Sequence, residues 1–557
     1  MNHASPYFDD ADNDDVPTLT DVTFNEDDLS DAIDEISITA ASGPDGLSAI
    51  FLKKCKSSLL KPLTGLWRDC LDLGITPEKL KDAHIIPVHK GGSQGVAANY
   101  RPIALTSHLI KVFEKVMRNR IVQFLKEHHL LNDSQHGFTE GRSCLSQLLV
   151  HHDKVLSILE SGVNVDTIYL DFAKAFDKVD HRILLKKLLG IRGKVLKWIR
   201  SFLTSRTQKV MVNGFLSEPA PVISGVPQGS VLGPLLFLVL ISDIDADVVF
   251  SFISSFADDT RVSKGVSGVT DTSFLQTDLE AIYQWATDNN MMFNNLKFEL
   301  IRRGSDSTLK LCTSYTSSDG TIINEKDHVK DLGVIMSSDC TFKEHINKIS
   351  QSARNMCSWI LRTFTSRSSD LMLTTWKSLV LPILDYCSQL WSPTSKGLIQ
   401  QLEEIQKSFT RKIHAACRED YWSRLSSLRL YSLERRRERY RIIYTWKILE
   451  GLVPNLEVNK IRSTATFRNG RMCTVPATVN TDSKLMTLRE GSFCISGARL
   501  FNCLPKQIRD LSGVELSKFK EKLDEFLSTV PDEPQCCGYT GYRRAETNSL
   551  LHMVTVM

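Results

Sequence analysis

The chain has 557 residues, 42% of them apolar and 24% charged, which allows several domains around a sizeable core and excludes collagen-like, low-complexity and disulfide-framework classes. Its longest apolar stretch, Val231 to Ile241, contains Gly233 and Pro234 and is too short to cross a bilayer. Polar and acidic residues follow Met1 in place of a signal peptide, so a soluble, intracellular protein without a membrane partner is expected.

The net charge of +3 hides an asymmetry. Residues 1–52 carry thirteen Asp/Glu and no Lys/Arg, leaving 68 basic and 52 acidic groups over the other 505 residues, a balance of +16. That suits a polyanionic partner, although a basic face is often merely solvated. Residues 1–40 read as a disordered acidic stretch, and order is expected to begin at the turn signal Gly43-Pro44-Asp45-Gly46. Helical spacing follows over Leu47–Leu73 and Leu109–Glu127, and again over 181–204 and 273–290. Short β-rich runs stand at Ala83–His89, Val165–Asp171, Gln208–Val212 and Val248–Ala257. This order predicts an α+β domain over about 45–340. From about 343 to 450 the pattern is almost wholly helical, interrupted at Pro382 and Pro393. A mixed region follows, ending in an amphipathic helix over Leu516–Leu527, and the tail after Pro531 is expected to be loosely ordered. The thirteen cysteines are dispersed, with no C-x-x-C and no zinc spacing, and read as reduced thiols.

Three blocks could carry chemistry. Thr167-Ile168-Tyr169-Leu170-Asp171 is an apolar strand ending in a carboxylate; alone, it equally fits a strand running into a capped helix. Phe256-Ala257-Asp258-Asp259-Thr260 puts two aspartates at a strand end, which alone fits a polar hairpin turn. Adjacent carboxylates repel, however, and three of them meeting from two strands call for a cation such as Mg²⁺. Between them, Ser224-Gly225-Val226-Pro227-Gln228-Gly229-Ser230-Val231-Leu232-Gly233-Pro234 imposes a defined backbone path before an apolar helix. It is either a plain helix entry or a backbone that approaches a nucleotide closely, with Gln228 reaching it.

In this order the three blocks resemble the palm of reverse transcriptases. LDFAKAFDKV (170–179) resembles the strand bearing the first catalytic aspartate, GVPQGSVLGPLLF (225–237) the template and nucleotide loop, and FADDT (256–260) the hairpin bearing the aspartate pair. GPDGL (43–47), YRPIAL (100–105) and QHGFTEGRSC (135–144) are similar to the LINE type, the non-long-terminal-repeat retrotransposons. Trp285–Lys297 and Leu332-Gly333-Val334 also fit. KSLVLPILDYCSQLWSP (377–393) and ARLFNCLP (498–505), with the FKEKLDEFL helix after it, resemble the Jockey-like branch.

The resemblance implies a right-hand polymerase: an acidic disordered segment over 1–42, fingers and an antiparallel-sheet palm over 43–340, and a helical thumb over 341–450. A C-terminal mixed region over 451–530 and a tail over 531–557 complete it. It implies an RNA-directed DNA polymerase that adds deoxynucleotides to a DNA primer, or to nicked target DNA, along an RNA template. Asp171 and Asp258 would bridge two Mg²⁺ ions, with Mn²⁺ an alternative; Asp259 would be a lesser ligand, and the Phe172 carbonyl would help on the nucleotide side. Asp177 is expected to be structural. Arg101 and Lys90 match positions that grip the triphosphate, and Gln228 and Gly229 the nucleotide loop. Phe176, five residues after Asp171, matches an aromatic that excludes ribose, although most phenylalanines are simply core. Lys297 matches a general acid for departing pyrophosphate, but Phe298 is bulkier than the usual Thr or Cys there. Gly333 would lie in the turn supporting the primer end. The run Glu434-Arg435-Arg436-Arg437-Glu438-Arg439 fits either a solvated helix face or a phosphate contact.

Relatives of this branch commonly carry an endonuclease before the polymerase, whereas only about 40 residues precede it here, and no ribonuclease H region is recognisable. A truncated copy, with nicking supplied in trans, is therefore expected. Two other readings compete. One is a decayed element surviving as an RNA-binding module, against which the intact Asp171, Asp258, Asp259, Gln228 and Lys297 speak. The other is an RNA-dependent RNA polymerase, against which Phe176 speaks. Intron maturases and telomerase share the chemistry but lack the C-terminal blocks.

Overall fold

The computed structural model describes residues 17–305, 307–414, 418–454, 463–466, 470–475, 483–533 and 548–552. It opens with α1 (Glu26–Asp34), α2 (Ala49–Lys54) and α3 (Lys56–Leu73), then β1 (Ala83–His89), β2 (Tyr100–Leu105), α4 (His108–Glu127) and α5 (Cys144–Glu160). The strand β3 (Asn164–Leu170) follows, then β4 (Arg206–Val212), β5 (Phe215–Leu216) and β6 (Ala220–Val222). Next come β7 (Phe252–Phe256), β8 (Asp259–Val266), β9 (Glu299–Arg303), β10 (Asn324–Glu325), β11 (His328–Asp331) and β12 (Val334–Ser337). The chain is a mixed α/β protein, as its pattern predicts. Among the described residues no helix is long and apolar enough to cross a membrane, and the ten described cysteines are free.

Two sheets organise the first 340 residues. One has the order β10-β9-β3-β8-β7, antiparallel except for β10 with β9, and puts β3 at its centre. The other runs β2-β1-β4-β5, with β6 beside β4; β1 and β4 pair parallel, because residues 106–205 intervene between β2 and β4. The hairpin β11–β12 is a separate two-stranded sheet. A large apolar core lies around α3, α4 and the helix Gly233–Leu240, where Trp67 stacks on Phe113 at 4.8 Å.

Several expectations change. Disorder was expected over residues 1–40; residues 1–16 lie outside the described residues, but 17–40 are structured. Asn25 and Asp28 form a capping box for α1, which buries Leu29, Ala32 and Ile33. The acidity that suggested disorder is matched by cations of α4: Lys115 with Glu35 at 2.5 Å, and Arg120 with Asp28 at 3.1 Å. The run 181–204 is two helices, His181–Lys186 and Gly193–Leu203. Gly190 lies between them and takes positive φ, a conformation that breaks helical continuity. At Val249 and Phe250, expected as strand, the amides are drawn to the Asp278 carboxylate of the helix Val269–Asp288.

The helical region is borne out by Lys343–Thr363, Ser369–Thr375, Leu381–Asp385, Ser388–Trp391, Lys396–Thr410, Tyr421–Ser427 and Leu433–Leu449. It does not end in packing at 450, since it shares a core with the C-terminal helices Phe493–Asn502 and Leu516–Thr529; Trp446 stacks on Phe519 at 4.6 Å. The strands β13 (Ser463–Thr466) and β14 (Gly470–Cys473) pair beside them.

The arginine run is neither a solvated face nor a phosphate surface. Arg436 pairs with Asp385 at 2.8 Å and Arg439 with Asp524 at 2.5 Å. Arg435, fully buried, donates to the carbonyls of Pro531 and Asn548. Leu550 N donates to Glu438 at 3.0 Å. The tail, expected to be loose, is therefore anchored where it is described: Asn548, Ser549 and Leu550 are buried against this helix, which offers donors and acceptors that only ordered backbone can fill. Cys536 and Cys537 lie outside the described residues.

Candidate active site

The site grows from the central strand. Asp171 follows Leu170, the last residue of β3, which pairs with Thr260 of β8, and Asp171 and Asp259 line one cleft. Its main chain is fixed on the other side. Asn294 N donates to Asp171 O at 2.8 Å, Ala173 N donates to Met292 O at 2.8 Å, and the Phe172 ring stacks on Phe293 at 4.4 Å. This same segment delivers Lys297, whose Nζ donates to Asp171 Oδ2 at 2.9 Å. The bulk of Phe298 does not displace it, because Phe298 turns inward and is buried beside Phe293 and Tyr283.

Asp258 and Asp259 sit at the turn between β7 and β8. Ala257 takes φ +55, a strained value for a residue with a side chain. The strain is over-determined by Gln135. Its Oε1 accepts from Ala257 N at 2.8 Å and from Gly137 N at 2.7 Å, and its Nε2 donates to Ala257 O at 3.3 Å. A Cβ on Gly137 would lie 2.3 Å from Ala257 N, so only glycine fits there. Burial and then the fields of the neighbouring aspartates push both carboxyls upward, Asp259 to about 6. Arg101 pulls the other way on both.

The nucleotide-type loop is zipped onto the turn after β3. Gly225 N donates to Val179 O at 2.8 Å and Val226 N to Phe176 O at 2.9 Å, while the Gln228 amide donates to Asp177 Oδ1 at 3.1 Å. Asp177 is thus structural, as expected, and it holds the side chain expected to reach a nucleotide. Gly229 has φ +127, and a Cβ there would meet Ala104 O at 2.4 Å. Deeper in, Glu114 of α4 accepts from Val231 N at 2.8 Å and Leu232 N at 2.9 Å. Phe176 is half-buried; its ring stacks on Phe237 at 4.4 Å and meets Phe138 edge-on.

Arg101 and Lys90 come from the β1–β2 hairpin, where Arg101 pairs with Val88; both side chains are exposed. Gly333 forms the β11–β12 turn with φ +88, and a Cβ there would press on the Tyr386 ring at 3.1 Å. Tyr386 Oη donates to Leu332 O at 2.7 Å. A cleft of about 320 Å³ lies between this turn and the aspartates, lined among others by Asp171, Asp259, Leu296, Lys297 and Leu332.

The structure therefore brings Asp171, Asp258, Asp259, Lys297 and Arg101 into one electrostatic neighbourhood, with Gly333 across the cleft. Gln228 and Gly229 lie on the adjoining loop and Phe176 on the turn that it is zipped to, while the charge of Lys90 acts on Asp177. Among the described residues no three His, Cys, Asp or Glu side chains converge closely enough to form a ready metal chelate; the Lys297 ammonium is the counter-charge on Asp171. Gln135 and Glu114 were missed as site residues, although Gln135 lies in the quoted block QHGFTEGRSC.

A family model described as reverse transcriptase (RNA-dependent DNA polymerase) matches residues 88–336. The RNA-directed DNA polymerase from mobile element jockey of Drosophila melanogaster is 30% identical over 415 residues, covering 72% of this chain and 44% of the relative. Its counterpart from Drosophila funebris is 27% identical over 71% of this chain and 44% of the relative. A probable RNA-directed DNA polymerase from transposon X-element of Drosophila melanogaster is 26% identical over 70% and 44%. The chain thus spans less than half the length of these relatives. Residues 88–336 thus match the reverse transcriptase family, and the chain is similar over most of its length to RNA-directed DNA polymerases from the mobile element jockey.

Proposed function

We propose that this chain is an RNA-directed DNA polymerase that extends a DNA primer along a retrotransposon RNA with deoxynucleotides. The observation that carries the reading is Asp171, just past the end of the central strand, close enough to the Asp258–Asp259 turn that its charge acts on both aspartates. On this reading the β3 sheet is the palm, the β1–β2 hairpin belongs to the fingers and the helices from Lys343 form the thumb.

Three carboxylates, two of them pushed upward by burial and mutual repulsion, are an oxygen donor set suited to Mg²⁺. Asp171, Asp258 and Asp259 would hold two ions, with the Phe172 carbonyl beside them, and Mn²⁺ could substitute. Such ions, when bound, stabilise charge on the attacking and leaving oxygens. The chain's own groups do the rest. Arg101 offers a planar donor fork to the triphosphate from the β1–β2 hairpin. Lys297 keeps a proton at Nζ beside Asp171, where departing pyrophosphate would need one. Lys90 adds positive charge at the hairpin end. Phe176, fixed by Phe237, presents only apolar surface toward a ribose, so it acts by occupying space. Gln228 and Gly229 shape the base-side wall, and Gly333 the support for the primer end.

The test is primer extension by the purified chain on an RNA template with Mg²⁺. Incorporation of deoxynucleotides supports the reading; tight RNA binding without any extension supports an RNA-binding remnant.

A further inference from the structure

Two hairpins face each other across the cleft and belong to different sheets. The β7–β8 hairpin presents the aspartate pair, and β11–β12 presents the Leu332-Gly333 turn. Arg261 stands on β8 two residues after Asp259, hence on the same face of the strand. Its guanidinium pairs with Asp331, the last residue of β11, and both side chains are enclosed, 3% and 6% exposed. The orientation of Arg261 is set independently. Its Nε donates to Ser254 Oγ on β7 at 2.9 Å, and that oxygen also accepts from Gln147 Nε2 of α5 at 3.2 Å. On its far side the Leu332-Gly333 turn is held by Tyr386.

A buried ion pair seldom stabilises more than well-packed apolar residues of the same volume, but it tolerates few geometries. A planar fork already anchored at one nitrogen tolerates fewer still. Placed between these two hairpins, such a pair sets their separation. We propose that Arg261 and Asp331 are positioning residues for nucleotide addition, holding the primer-side turn at a fixed distance from the aspartate pair. This rests on the polymerase reading. Both side chains are enclosed and paired with each other, so each acts through the hairpin it anchors.

The experiment is single-turnover addition of one deoxynucleotide to a DNA primer on an RNA template with Mg²⁺. The active fraction is taken from the burst amplitude, and the deoxynucleotide concentration is varied. Arg261→Lys keeps the charge without the fork, and Asp331→Asn keeps the shape without the charge. Each is expected to slow the addition step at least tenfold, with burst amplitude and apparent nucleotide affinity within twofold of wild type. The double variant should be no slower than the slower single variant. A wild-type rate in either variant overturns the inference, as does a loss confined to amplitude or losses that multiply in the double variant. Asp331→Asn, the milder change, carries the same readout alone. A wild-type chain that extends beside variants that match it removes this inference only. A wild-type chain that never extends removes the polymerase reading as well.

Discussion

Glu114 offers the sharpest test of how the nucleotide-type loop is held. It is fully buried in α4, and one of its oxygens accepts both the Val231 and Leu232 amides, just past Gln228 and Gly229. Glu114→Ala removes the acceptor from two amides that protein surrounds. An orphaned buried donor costs about 1–3 kcal/mol, so the local loss for two is about 2–6 kcal/mol. Glu114→Gln keeps an accepting oxygen for both amides and costs about 1 kcal/mol. Amide hydrogen exchange read segment by segment isolates this region from the rest of the molecule. Glu114→Ala should speed exchange over 225–233 by roughly 30-fold or more, at about 1.4 kcal/mol per tenfold, with Glu114→Gln far closer to wild type. Apparent deoxynucleotide affinity should fall in the same order. Equal effects of the two substitutions, or unchanged exchange in Glu114→Ala, would refute the acceptor role.

Three further outcomes are expected. Asp171→Ala and Asp258→Ala should each abolish nearly all primer extension while the fold survives; extension near the wild-type rate in either would place the active site elsewhere. The native Asp259 carboxyl is raised from 3.8 to about 6, so the folded metal-free protein binds more protons than the unfolded chain between about pH 4 and 6 and loses stability as pH rises through that window. Solvent screening at this partly open site reduces the effect to roughly 1 kcal/mol; thermal unfolding in chelator should show Asp259→Asn stabilised at pH 7 and not at pH 4. Phe176→Val should retain deoxynucleotide use and raise ribonucleotide incorporation at least tenfold, whereas an unchanged ratio in a soluble, active variant would leave Phe176 as a packing residue against Phe237.

What could be read from the chain follows a physical division. Asp171 and the Asp258–Asp259 pair were legible because each ends an apolar β-rich run, a local pattern that places a carboxylate at a strand end. The positive φ at Gly229 and Gly333 was likewise foreshadowed by glycine itself. Residues that brace the site were not legible, since their partners are remote in sequence. Gln135 holds Ala257 from 122 residues away, and Glu114 holds Leu232 from 118. A charge run carries the same ambiguity. Arg436 and Arg439 look solvated until Asp385 and Asp524 arrive from 51 and 85 residues away. The N-terminal helix was overlooked for a different reason. Its Asn25–Asp28 box and the Leu29/Ile33 spacing are local signals, but they were outweighed by acidity whose counter-charges lie on α4.

The tail contacts of the arginine helix bear on how the molecule comes into being. Arg435 waits for the carbonyl of Asn548, 113 residues later, and Glu438 for the amide of Leu550, 112 residues later. At about 5–20 residues per second of synthesis, that is a delay on the order of 5–20 s, during which the strands bearing the aspartates have already left the ribosome. The sheet with the chemistry can settle first, while the helix Leu433–Leu449 holds unmatched charge until residues 548–550 emerge. Loss of those residues would leave the sheet's register intact and strand the buried guanidinium of Arg435. A nascent chain stalled before residue 530 should therefore bury its aspartate strands and still expose its arginine helix to a protease.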